Sequence, residues 1–222
     1  MADKIFVFAG PSLFGTGLAP ASTPYIEWLA PARRGDVEQL KDNIDEPGTI
    51  GLADGTFHTY PSVSHVEIRD AIGNGWKVFG LCSMGAIRAA EMQHMGVHPW
   101  GRVAEHFCRH PETPDDEVAL VHGDEIPFVP LSEPLVHIRE FLLHMERAAV
   151  LHSDQAAEVA AYFSGVWYGE RTLEALRESL LSILGVAELP QIAAQALSNF
   201  SRFRLKQADL ISFVSQQPWL EK

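Results

Sequence analysis

The run Lys77-Val78-Phe79-Gly80-Leu81-Cys82 opens on a charge, continues through five uncharged residues, and passes through Ser83-Met84-Gly85 into a helical pattern. An apolar run of that length, without polar alternation, reads as a strand buried on both faces. Two earlier segments share the pattern. Lys4 to Ala9 is closed by Gly10-Pro11, and Gly48 to Ala53 is closed by Asp54-Gly55. Helical patterns fall between these runs: Gly35-Asp36 to about Lys41, Ser64 to Ile72, and Met84 to Met95. Ser64 with Glu67 three residues on forms a capping box, and Gly73 to Gly75 stop that helix. Thr23-Pro24-Tyr25 reads as the start of a further short helix, ended by Pro31. Glu117 to His122 and Phe128 to Leu131, around Gly123-Asp124-Glu125, read as a hairpin. Strands alternating with helices need crossover connections, which make neighbouring strands parallel. The expectation is an α/β fold: an open, mainly parallel sheet flanked by helices, over residues 1–131.

After Pro134 the period changes. Leu135 to Leu151, Ser153 to Phe163, Arg171 to Leu184, a segment from Pro190, and Lys206 to Val214 all read as helices. Residues 132–222 are thus expected to form a C-terminal all-helical segment, packed on the core because no long linker precedes it. The balance of 29 acids against 17 bases, a formal charge of −12, argues against nucleic acid as the main ligand. No apolar run reaches the roughly 18 residues of a membrane span. The apolar N-terminal run is short and broken by Gly10-Pro11, unlike a secretory signal, so a cytoplasmic location is expected. Cys82 and Cys108 do not make a disulfide framework. The chain has no HExxH and no Cys/His cluster at metal spacing, so neither a metal nor another cofactor is expected.

A serine at a strand-to-helix turn lies at the carboxyl edge of a sheet, where open α/β folds bind ligands. The helix that follows offers free N–H groups and the positive end of its dipole. Ser83 is therefore either an N-cap, the common use of serine there, or a nucleophile on an elbow. Gly85 lets the backbone come close. The pattern Gly-Leu-Cys-Ser-Met-Gly departs from Gly-x-Ser-x-Gly, and Cys82 reads as a small buried residue. Gly10 and Ser12 end the first strand run and Asp54 ends another, so these residues are candidates for the same edge. His65 is a candidate base, and Arg88, three residues from Glu91, is a candidate anion binder or an ion-pair partner.

The stretches FAGPSL, PARRGD, IGLADGTF, SVSHVEI, KVFGLCSMGAIRAAE, DDEVAL and LSEPLVHIR, in that order, resemble the TfuA-like family over roughly Ile5 to Arg139. The resemblance implies a role beside a YcaO protein, which activates a peptide backbone amide with ATP so that sulfur replaces its oxygen. The implied activity is hydrolysis of the C-terminal thiocarboxylate of a small ThiS-like sulfur carrier protein, supplying sulfide, together with help in holding the precursor peptide on YcaO. It also implies a Ser–Lys pair. Ser83 is the best match for the nucleophile and Ser12 the competitor, with Gly10, Asp54, Gly85 and Arg88 around the substrate.

Val66 stands where the family pattern has a lysine. Lys77 begins its strand, about 20 Å from the edge that carries Ser83 at 3.3 Å per residue. Lys4 also begins a strand, Lys41 is a candidate to reach the site from a loop, and His65 is the nearest alternative base. Two other readings stay open: a binding module that recruits carrier and peptide without cleaving, and a small serine hydrolase of unrelated substrate.

Overall fold

The computed structural model describes residues 4–56 and 60–220. Phe57, the last residue of the IGLADGTF stretch, lies outside the described residues. The chain divides into two compact units. One comprises Met1–Thr113 with Lys206–Lys222, and the other Pro114–Leu205.

The first unit is built on five parallel strands, β1 (Ile5–Phe8), β2 (Ile26–Leu29), β3 (Thr49–Leu52), β4 (Lys77–Gly80) and β5 (Val97–Pro99), in the order β2-β1-β3-β4-β5. All residues of β1 and β3 are buried, as unbroken apolar runs require when both sheet faces are covered. Its helices are α1 (Asp36–Asn43), α2 (His65–Gly73), α3 (Met84–Met92), α4 (Gly101–Arg109) and α9 (Leu205–Gln216), the last belonging to this unit from Lys206 onward. Ile5, Val7, Phe79 and Leu81 meet Leu210, Phe213 and Val214 of α9 on one face. Gly51 lets the Phe213 ring approach, since a Cβ there would lie 3.1 Å from it. On the other face α3 presses on β4, where a Cβ on Gly80 would lie 2.8 Å from that of Ala89. The Ser64–Glu67 capping box is formed as the spacing predicts. The fold is α/β, with a parallel sheet flanked by helices and further helices towards the C-terminus.

Three local features differ from expectation. Thr23-Pro24-Tyr25 leads into strand β2, not a helix. The Thr23 hydroxyl donates to the Ala19 carbonyl and accepts from Trp28 Nε1. Ile26-Glu27-Trp28-Leu29 pairs with β1 from Ile5↔Ile26 to Phe8↔Leu29, so pairing with β1 overrides the local cap signal. The expected hairpin at 117–131 reduces to one antiparallel bridge, His122↔Pro130, because Pro127 and Pro130 lack the N–H groups a ladder needs. Strand β5 and helix α4 are additions to the expected elements, although α4 places Val103, Ala104 and Phe107 on one buried face. The N-terminus of α4 is held from afar, by Asp209 Oδ1 and Oδ2 accepting the N–H groups of Arg102 and Val103 at 2.9 and 2.8 Å.

Burial pushes the Asp209 carboxyl up to about 6, against the pull of those two N–H groups and of Arg102. A carboxyl raised in the fold favours the protonated folded state. Its contribution is full below about pH 4 and is lost as pH rises through about 6, a loss of about 3 kcal/mol. Stability measured by denaturant for the native chain, minus that of Asp209→Asn, is expected to fall by that amount between pH 4 and 7. A flat or rising difference would refute the assignment.

The second unit holds α5 (Leu135–Arg147), α6 (Ser153–Gly165), α7 (Leu173–Leu184) and α8 (Gln191–Ser198) around a core that includes Phe141, Met145, Phe163, Leu176, Leu180 and Phe203. Buried Glu133 receives Arg204 and faces His137 Nδ1 at 2.9 Å. Burial alone would raise its carboxyl, but these two partners outweigh burial and hold it below its ordinary value. Buried Arg171 reaches the Asp116 carboxylate and the carbonyls of Asp116 and Phe163. Among the described residues no helix is long and apolar enough to cross a membrane, and no group of three or more His, Cys, Asp or Glu is placed to hold a metal ion.

Candidate functional site

In an open parallel sheet the crevice for a ligand opens at the carboxyl ends of the strands, where the strand order reverses. Here that point lies between β1 and β3, and Asp54 occupies it. Asp54 Oδ2 accepts the N–H groups of Gly10 and Ser12, both at 2.8 Å, and Oδ1 accepts the Ser12 hydroxyl at 2.7 Å. Lys206 Nζ lies 3.7 Å from the same Oδ1. Asp54 is 2% exposed, Ser12 0% and Lys206 1%. A carboxylate and an ammonium this deeply buried persist only when each is paired and hydrogen-bonded. The Asp-Gly pair that closes the Gly48 to Ala53 run thus anchors the loop after β1 and holds a lysine from α9.

Strand β4 ends next to this cluster. The N–H of Ser83 donates to the Ala53 carbonyl at 3.1 Å, one residue before Asp54. Ser83 occupies the N-cap position of α3 yet makes no side-chain capping hydrogen bond. The turn is sharp, and its left-handed residue is Cys82 with φ 62°, an uncommon conformation outside glycine. Cys82 Sγ donates to the Lys206 carbonyl at 3.1 Å. Burial, then the charges of Asp209 and Asp54, push its thiol well up, so this cysteine is a protonated packing residue. Gly85 permits the close approach: a Cβ there would lie 1.5 Å from the Leu52 carbonyl oxygen.

Lys206 touches both strand ends, with its carbonyl at Cys82 and its ammonium at Asp54. The sequence does carry a signal for it. Lys206, Leu210 and Phe213 are spaced i, i+4, i+7, which places a lysine on the apolar stripe of α9. Among the described residues the other lysines lie elsewhere. Lys77 Nζ donates to the Trp219 carbonyl at 3.1 Å, Lys41 lies 3.7 Å from Asp42, and Lys4 is exposed. Val66 is 55% exposed on α2.

His65 and Arg88 meet at Glu91 instead. His65 Nε2 is 2.9 Å from Glu91 Oε2, with half its side chain exposed. Arg88 is buried and donates to Glu91, to the Val63 carbonyl at 3.0 Å and to Ser62 Oγ at 3.1 Å. These bonds tie α3 to the start of α2. Gly10, Ser12, Asp54, Ser83 and Gly85 are therefore gathered at one sheet edge, while His65 and Arg88 meet at Glu91 of α3 and Arg88 also reaches the segment before α2. The PARRGD stretch also borders that edge. Ala32 N–H donates to the Asp54 carbonyl at 2.9 Å, and the Arg33 guanidinium lies over the Tyr60 ring at 3.7 Å.

A comparison with curated proteins returns no match. The family model described as TfuA-like protein matches residues 54–172, a stretch that contains Asp54, the turn at Ser83, and the Glu133–His137 pair, and leaves Ser12 and Lys206 outside it. Since that stretch is more than half of the 222 residues, the chain belongs to the TfuA-like family.

Proposed function

We propose that this protein is a serine hydrolase of thiocarboxylates that supplies sulfide to peptide backbone thioamidation beside a YcaO enzyme, with Lys206 as the partner of Ser83. The observation that carries the reading is the burial of Lys206 against Asp54 at the sheet edge that ends in Ser83. Within the buried pair Lys206 gives its proton to Asp54 and stands as a neutral amine, and Ser83 Oγ then attacks the thiocarboxylate carbon as its proton passes to that amine. The Lys206 proton then goes to the sulfur, the C–S bond breaks, and hydrogen sulfide ion leaves an acyl ester on Ser83. Water hydrolyses that ester, so the balance is thiocarboxylate plus water to carboxylate plus sulfide. Asp54, braced by Ser12 and Gly10, holds the Lys206 amine in place. Ser12 and Ser83 are 0% and 3% exposed, so the reacting carbon arrives on a narrow, extended chain end, as the tail of a ThiS-like carrier provides.

The test is sulfide release from a thiocarboxylated carrier. Lys206→Met is expected to lower it by about a hundredfold to ten-thousandfold, the usual range for a removed acid–base group. Equal release by the variant would overturn the role. The burial of both serines also favours a second reading, a module that docks the carrier tail and cleaves nothing. Its signature is no sulfide above the carrier alone, together with tighter peptide binding by YcaO.

A further inference from the structure

Among the described residues, two buried side-chain atoms of the first unit have no hydrogen-bond partner: Trp100 Nε1 and Gln207 Oε1. An unmet buried polar group costs stability, so folded proteins carry few of them, and each calls for an explanation. One of this pair is a donor and the other an acceptor.

Both lie where α9 meets the carboxyl edge of the sheet. Gln207 follows Lys206 directly and is 8% exposed. Trp100 follows β5, and its N–H donates to the Gly80 carbonyl at the end of β4 at 3.0 Å. The Trp100 ring stands edge-on to Phe213 of α9, with centroids 6.1 Å apart. Two residues further on, Asp209 of the same helix clasps the start of α4. Gln207 thus adjoins the lysine assigned to the reaction, and Trp100 is tied to the strand that leads into Ser83.

A peptide chain supplies what both atoms lack, a carbonyl oxygen for Trp100 and an N–H for Gln207. A fully deprotonated inorganic anion such as sulfate offers only acceptors and leaves Gln207 Oε1 unmet. A metal cation offers nothing to Trp100 Nε1. We propose that Trp100 Nε1 and Gln207 Oε1 bind the main chain of an extended peptide tail and set its terminal acyl group towards Lys206 and Ser83. Recognition is by backbone, so it demands a narrow tail and tolerates any sequence that fits. The inference rests on the hydrolase reading for what happens at the acyl group, and on the two unmet atoms alone for the binding.

The experiment uses Trp100→Phe, which keeps a ring and removes the N–H, and Gln207→Leu, which keeps much of the volume and removes the amide. Calorimetric titration with N-acetyl-triglycine carboxylate is expected to show binding weakened about tenfold or more in each variant. Melting temperatures are expected to stay level or rise, since each change deletes an unmet group. Hydrolysis of N-acetyl-triglycine thioacid is expected to fall about tenfold in kcat/KM, while hydrolysis of thioacetate, which has no peptide group, stays within about twofold. The proposal is overturned if the native protein binds no triglycine peptide. It is also overturned if both variants bind as well as the native protein, if both thioacids decline together, or if melting temperature drops along with binding, the mark of a structural water between the two groups. If neither thioacid is cleaved yet binding depends on both side chains, the hydrolase reading fails and the tail site stands. If both are cleaved and binding ignores the two substitutions, the reverse holds.

Discussion

Ser83→Ala is expected to reduce sulfide release from a thiocarboxylated carrier by about a thousandfold or more, the scale on which removed nucleophiles act. The expectation follows from position. Ser83 follows β4 directly behind a left-handed residue and neighbours Asp54 through the Ala53 carbonyl. Ser12 provides the contrast. Its N–H and its hydroxyl are both donated to Asp54, so in the proposed mechanism it is a positioning residue. Ser12→Ala is expected to lower kcat about tenfold to a hundredfold and to leave an acyl-enzyme trappable on Ser83, detected as a mass increase. Should Ser12→Ala abolish the trapped acyl group while Ser83→Ala retains it, the two serines exchange roles. Full release by both variants would remove serine chemistry altogether.

Gly85→Ala is the substitution with the largest expected effect on the fold. Its new methyl group would sit 1.5 Å from the Leu52 carbonyl oxygen and 2.6 Å from the Leu52 carbon, both of them backbone. No side chain can move aside, so α3 must lift away from β3 and carry Ser83 with it. A loss above about 4 kcal/mol is expected, enough to leave most chains unfolded. Gly73→Ala is the control. It closes α2, and a Cβ there meets nothing within 4 Å. It is expected to be neutral or stabilising by up to about 1 kcal/mol. Urea unfolding followed by circular dichroism checks both, and a Gly85→Ala chain with native stability would contradict the packing described.

What was legible in the sequence was local. The runs ending at Phe8, Leu52 and Gly80 read as strands because a strand covered on both faces needs no partner information to appear apolar. The Ser64–Glu67 box was legible because both its bonds close within four residues. Strand β2 was misread because its Thr-Pro start satisfies a helix cap locally, and only pairing with β1 settles the matter. Ser12, Asp54 and Ser83 were legible as candidates because each follows an apolar run. Their grouping also required the strand order.

Chain order alone determined that apolar runs would alternate with helices and that polar residues would collect at the ends of those runs. Tertiary structure alone decided which lysine they would meet. Lys206 lies 152 residues beyond Asp54 in the chain (206 − 54) and comes within 3.7 Å of it. A buried ammonium needs a buried carboxylate, and which pair meets depends on the packing of α9 against the sheet, which no local spacing encodes. The same packing leaves Trp100 Nε1 and Gln207 Oε1 without partners, because a hydrogen bond that is missing can be recognised only after every neighbour has been placed.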